Sequence, residues 1–281
     1  MVTTSKEPSG PAGATAGRSG LSPRQRRRIS MITQYVLFVV VLVVLAFTID
    51  WPKIQETFFD FKATREMYPD LFTVALKNTV IYTVSAYVVG FVLGLVVALM
   101  RLSSVALYRW VALLFVEIFR GLPALLTLLI IGFGLPVALG GPVPGGTVGA
   151  VAVGLGLVAA AYMAETFRAG IQAVPRGQME AARSLGMSYP RAMFSIVIPQ
   201  GLRIIIPPLT NELVLLFKDS SLVSALGIAA AGVELTKMGS DFAINTADAT
   251  PFVVAGASYL IITVPLGIVV RRLEARQAKA R

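Results

Sequence analysis

Six long apolar runs, separated by short polar stretches, set the pattern of this 281-residue chain. They cover about residues 31–49, 78–100, 110–139, 147–167, 201–217 and 252–270. About 17–25 apolar residues in a helix cross a hydrocarbon core of about 30 Å. Each run reaches that length, and a lone segment in lipid satisfies its backbone polar groups only as a helix. The pattern predicts an all-α, polytopic helical membrane protein with about six transmembrane helices.

The punctuation between the runs refines this picture. Residues 1–30 are rich in Gly, Ala, Ser, Pro and Thr and hold the basic run Arg24 to Arg28, which predicts a disordered basic tail. Its flank resembles that of a signal peptide, but the following run is long and no small-residue cleavage site follows, so the span is expected to be retained. Residues 31–72 then hold the first span, an interfacial Trp51 and a polar loop. Gly90 and Gly94 in the second span have the spacing that lets a neighbouring helix approach closely. Gly121 and Pro123 predict a kink in the third. The uncharged turn Gly140 to Gly146 leads to a fourth span rich in Gly and Ala, as suits a helix packed inside a bundle. Pro207 and Pro208 are expected to interrupt the fifth, and Lys218 with Asp219 to form a local pair near the surface. Residues 73–270 form the expected core, and 271–281 a second basic tail.

The longest informative polar stretch is 175–199, which contains EAARSLGMSYPRAMFSIVIP from Glu180 to Pro199. Gly177 can begin a short helix with Gln178 and Glu180 in its first turn, where a carboxylate suits the positive helix end. Ala181 and Ala182 are strong helix formers with small side chains. Leu185 and Gly186 close the helix, Gly186 in the left-handed conformation. Ser188 offers an N-cap and Pro190 a first-turn residue for a second helix, and Pro199 marks the junction with the next span. The result is a compact helix-turn-helix with a close-approach face that fits a groove in another protein.

Composition agrees: 56% of residues are hydrophobic and 14% charged, against about 25% charged in soluble domains. Without cysteine or histidine the chain has no thiol chemistry, disulfide, imidazole metal site or histidine proton relay, and no cofactor or metal is expected. The net charge of +10 is explained by orientation. With six spans, and leaving aside Lys77, Arg168 and Lys218 at span ends, sixteen Lys and Arg residues fall on the side of the termini and the 175–199 loop, and four (Lys53, Lys62, Arg65 and Lys237) on the other. The positive-inside rule then places both termini and the loop in the cytoplasm, with no nucleic-acid partner.

The loop pattern, Glu180-Ala181-Ala182, Gly186, Ile196 and Pro199, with Ile198 standing for a Leu, resembles the EAA loop of ABC importer permeases. Three further blocks narrow the resemblance to polar amino-acid permeases: EIFRGLP (Glu117 to Pro123), AYMAETFRAGIQAVPRGQMEAARSLG (Ala161 to Gly186) and IPQGLRIIIPPLTNELVLLFKDSSL (Ile198 to Leu222). The chain is identified as a member of that family, the permease (transmembrane) subunits of polar amino-acid ABC importers. The resemblance implies a type I ABC importer permease (MetI-like) fold in a bacterial inner or plasma membrane. It also implies import of a polar amino acid, with cytoplasmic ABC ATPase subunits docking on the EAA loop, a second permease subunit, identical or paralogous, and an extracellular amino-acid-binding protein. The long N-terminal tail and the 140–146 turn depart from the pattern without touching the matching blocks.

Charges inside the spans mark candidate substrate contacts, since a mid-bilayer charge costs about 2.5–3.5 kcal/mol on insertion scales. Glu117 and Arg120, three apart on one helix face, and Asn211 and Glu212, just past the two prolines, are the candidate substrate path. Packing by ion pairs or interhelical hydrogen bonds is the alternative for all four. Arg168 is expected to snorkel from the cytoplasmic end of its span. No P-loop pattern occurs, so the chain is a non-catalytic subunit and ATP is hydrolysed by a partner. A permease for an opine or organic sulfur compound is a related alternative. A proton-coupled secondary transporter leaves the EAA loop unexplained, and a membrane enzyme lacks a nucleophile or metal constellation.

Overall fold

A computed structural model describes residues 22–62 and 64–279, all helices and connections with no strand among them. The chain divides into two units, Met1–Lys53 and Ile54–Arg281. In the first, helix α1 (Pro23–Thr48) buries none of its residues, and its last turns accept a hydrogen bond from the Trp51 indole at Ala46. The expected disorder of 1–21 lies outside the described residues. From Pro23 onward the expectation is corrected, because Arg24 to Arg28 are helical. The reason is local: the Ser22 hydroxyl accepts from the Gln25 amide at 3.2 Å, the Gln25 side chain accepts from the Ser22 amide at 2.9 Å, and Pro23 sets the first turn.

The second unit is a helical bundle. After α2 (Trp51–Phe58) the chain becomes helical again at Arg65, earlier than the apolar run predicts, and feeds α3 (Lys77–Leu102). Helices α4 (Ala106–Gly121) and α5 (Ala124–Leu139) follow, then α6 (Gly146–Gln172). The polar stretch forms α7 (Arg176–Ser184) and α8 (Tyr189–Ala192), and α9 (Ile198–Asp219) returns through the bundle. Helix α10 (Leu235–Thr246) precedes the closing helix α11 (Thr250–Lys279). Among the described residues, five continuous helical stretches are long and apolar enough to cross a membrane, and the bent pair α4–α5 brings the number to six.

The core is built around α3 against α6. A Cβ on Gly90 would come within 2.8 Å of Ala159 Cβ, and one on Gly94 within 2.9 Å of the Ala160 carbonyl oxygen, so only glycine allows these backbones their approach. Small residues do the packing here because lipid offers no hydrophobic drive between helices. Tyr82, Ala86, Val116, Leu128, Leu155, Met163, Leu209 and Leu216 join α3, α4, α5, α6 and α9 in one buried cluster. A second cluster, including Leu71, Leu235, Met238 and Val254, secures α10 to the lead-in of α3 and to α11.

Two expectations need correction. The third span is not a kinked helix: its halves meet at 105° across Leu122 and Pro123, a break instead of a bend. The fifth is not interrupted, since α9 continues through Pro207 and Pro208. Pro207 cannot donate to the Arg203 carbonyl one turn back, and the Gln277 side-chain amide from α11 donates to it instead. Within the expected basic tail, residues 271–279 continue α11 as helix, where RRLEARQAK offers strong helix formers and no breaker.

Candidate functional site

The predicted site residues fall in two places. In the loop, α7 starts after Pro175, with Gly177, Gln178 and Glu180 exposed and Ala182 buried at its foot. The helix ends as a Schellman motif. Gly186 has φ +82°, its amide donates to the Arg183 carbonyl at 3.0 Å, and the Met187 amide donates to the Ala182 carbonyl at 3.1 Å. Ser188 occupies the N-cap of α8 in extended conformation but makes no side-chain capping bond, and Pro190 lies in the first turn as expected. A π-turn over Met193–Val197 joins α8 to α9, with Pro199 in the first turn of α9.

The turn holds an apolar face to solvent. Leu185 is 84% exposed, and Tyr189 and Phe194 are exposed beside the open glycine Gly186. The Gln200 side chain donates to that of Gln178 at 3.2 Å, tying the loop to the base of α9.

The second place is a cavity of about 360 Å³ at the α4–α5 break. Leu122, Pro123 and Ala124 form one wall, Leu155, Val158 and Tyr162 of α6 a second, and Glu212 and Asp219 of α9, seven residues apart and so on one helix face, a third. The Arg120 guanidinium lies 5.3 Å from the Tyr162 ring centre, a cation–π contact that brings a positive charge to the cavity wall. Two carboxylates thus line the cavity, and a guanidinium packs on one of its lining rings.

Of the four predicted path residues, the structure places Glu212 in the cavity lining; Arg120 does not line it but packs on the Tyr162 ring, which does. Glu117 lies instead with Trp110 and Leu114 along the exposed side of α4, and Asn211 is exposed on α9 and does not line the cavity. The i,i+3 pair Glu117–Arg120 does not form among the described residues, because Arg120 turns to the ring on α6. Lys218 and Asp219 form no ion pair either: Asp219 points into the cavity. Asp219 and Tyr162 were missed as site residues, although both lie in the resemblance blocks. Arg168, near the loop end of α6, donates to Glu165 at 2.7 Å and Gln172 at 2.6 Å, while Arg101 from the end of α3 also pairs with Glu165.

At the other end of the bundle, away from the loop, the 231–235 segment is clamped to α3. Asn78 donates to the Ala231 and Val233 carbonyls at 2.9 Å, and Tyr82 to that of Gly232 at 2.7 Å. Glu234, fully buried, caps α10 by accepting from the amides of Thr236 and Lys237, and Tyr259 of α11 donates to the same carboxylate at 2.8 Å. Burial pushes its pKa up, and those hydrogen bonds oppose the shift.

An all-helical bundle with five or six candidate spans, a capped polar loop and a small cavity holding two carboxylates has the features of a membrane transport subunit of the type I importer permease fold. The chain belongs to the family described as "binding-protein-dependent transport system inner membrane component", which matches residues 90–279. It is 39% identical over 215 residues to a probable glutamine ABC transporter permease protein of Bacillus subtilis, covering 76% of this chain and 94% of that one. An arginine transport system permease protein of the same organism is 34% identical over 215 residues, covering 76% and 95%. A crystal structure titled as an amino acid ABC transporter with histidines superposes with a TM-score of 0.69 at 34% identity, covering 77% of this chain and 98% of that one.

Proposed function

We propose that this chain is the permease subunit of an ATP-driven importer that moves a polar amino acid into the cytoplasm. In this reading a cytoplasmic ATPase docks on the 175–199 loop, and an extracellular binding protein delivers the substrate to a pair of permease subunits. The observation that carries it is the loop: a Schellman-capped turn holding Leu185, Gly186 and Tyr189 out to solvent. The names of the relatives support the substrate class, and the cavity supports a zwitterion, with an ammonium against Glu212 and Asp219 and a carboxylate drawn toward Arg120. Domain limits follow the sequence: a cytoplasmic N-terminal tail, a first span with an outer loop, a transport core over 73–270 and a basic cytoplasmic end.

Glu212→Gln and Asp219→Asn are each expected to lower uptake per assembled complex about tenfold, since each removes one charge-assisted contact of about 1.5–3 kcal/mol. Glu117→Gln, whose side chain lies away from the cavity, is expected to leave uptake unchanged. Amino-acid uptake by proteoliposomes carrying the permease, its ATPase and the binding protein measures this. Wild-type rates in both cavity variants, or a loss only in Glu117→Gln, contradict the cavity as the path.

Orientation follows from the basic asymmetry. With single cysteines in a chain that has none of its own, Glu56→Cys is expected to react with an impermeant maleimide in intact cells and Ser188→Cys only after lysis. Labelling of Ser188→Cys in intact cells puts the loop outside and defeats the reading.

A further inference from the structure

A second cavity, about 870 Å³, lies at the loop end of the bundle, between the end of α6, the start of α9 and the end of α11. Its polar side is Arg203, Arg276 and Gln200, and its apolar side Ile204, Ile206 and Leu273. No acidic residue lines it. Neither guanidinium has an ion-pair or hydrogen-bond partner among the described residues. The cavity is thus amphiphilic in one direction, with two free cations beside a branched apolar wall at the level where the spans end.

We propose that this cavity binds an anionic phospholipid, its phosphodiester held by Arg203 and Arg276 and an acyl chain laid along Ile204, Ile206 and Leu273. A guanidinium presents a planar fork of donors that matches phosphate oxygens, and two of them on different helices clamp one headgroup. Basic pockets between transmembrane helices on the cytoplasmic side are suited to such headgroups. A free phosphate satisfies the arginines and leaves the apolar wall bare, so the lining favours the lipid. The occupant joins α9 to α11 where the Gln277 amide already bonds the Arg203 carbonyl, and it touches Gln200, which holds Gln178 of the loop. A bound lipid therefore braces the base of α7. Only the choice of leaflet rests on the orientation proposed above.

Native mass spectrometry of the delipidated full-length chain, without nucleotide or amino acid, tests this separately from transport. Titration uses phosphatidylglycerol, phosphatidylcholine with the same acyl chains, and inorganic phosphate. Wild type is expected to retain one phosphatidylglycerol per chain in preference to phosphatidylcholine. The double change Arg203→Gln with Arg276→Gln is expected to lower that retention about tenfold and leave phosphatidylcholine unaffected. Arg276→Gln alone, at an exposed position late in α11, keeps the fold and is expected to lower it about threefold. Arg271→Gln with Arg272→Gln, a basic pair outside the cavity lining, is expected to change nothing. Retention unchanged in the cavity variants, an equal loss in the Arg271 and Arg272 variant, or displacement of the lipid by equimolar inorganic phosphate overturns the proposal.

Discussion

Gly94→Leu is expected to abolish recovery of a folded chain. A Cβ at Gly94 meets the Ala160 carbonyl oxygen at 2.9 Å and Met163 Cβ at 3.0 Å, and the leucine carries three further carbons into the same contact. The obstacle is backbone, so no rotamer change relieves it, and α3 must separate from α6. Separation by a methyl diameter strips dispersion contacts from Tyr82, Ala86, Leu155 and Met163 at once. In lipid those contacts are the main attraction between helices, and overpacking by several carbons costs on the order of 3 kcal/mol or more. Gly256→Ala on α11, where a Cβ meets nothing within 4 Å, serves as the control and is expected to be neutral or slightly stabilising. The monodisperse yield after detergent extraction measures both. Equal yields for Gly94→Leu and wild type contradict the close-approach account of α3 and α6.

That contact was legible in the sequence, because a small-xxx-small spacing inside an apolar run has few other uses. So was α6, whose Gly- and Ala-rich run is bounded by a glycine turn and a polar loop, and so was the left-handed Gly186. What stayed hidden depended on residues far along the chain. Two prolines in α9 read as a break, and the group that keeps the helix whole, Gln277, lies 74 residues beyond the carbonyl it satisfies. The 105° break between α4 and α5 was signalled only as a kink, since Gly121 and Pro123 permit a change of direction while packing on α6 and α9 sets its size. The cavity was half legible. Spacing suggested that Glu117 and Arg120 face each other, yet Arg120 found the Tyr162 ring on another helix, and the second acid of the cavity, Asp219, read as one half of a surface pair with Lys218. Local spacing reports which side chains share a helix face, not which neighbour covers that face.

The second large effect is expected at the loop. Gly186→Val places a β-branched residue at φ +82°, a region such residues essentially do not occupy. The two hydrogen bonds that close α7, from Gly186 to Arg183 and from Met187 to Ala182, are then lost, and the turn between the exposed Leu185 and Tyr189 is no longer fixed. Glu180→Lys leaves the turn intact and reverses a charge on the exposed side of α7. Neither change touches a span, so both chains are expected to insert in normal amounts. On the proposed reading each loses its grip on the ATPase, by geometry in one case and by charge in the other. Uptake is then expected to fall below about a tenth of wild type, the effect of 1.4 kcal/mol or more at the docking face.

ATP-driven amino-acid uptake in proteoliposomes, expressed per inserted permease and measured alongside retention of the ATPase on the membrane, tests this central claim most directly. The account predicts rapid ATP-dependent uptake in wild type, with uptake and ATPase retention lost together in Glu180→Lys and Gly186→Val. Wild-type uptake in both variants, or uptake that does not depend on ATP, contradicts it.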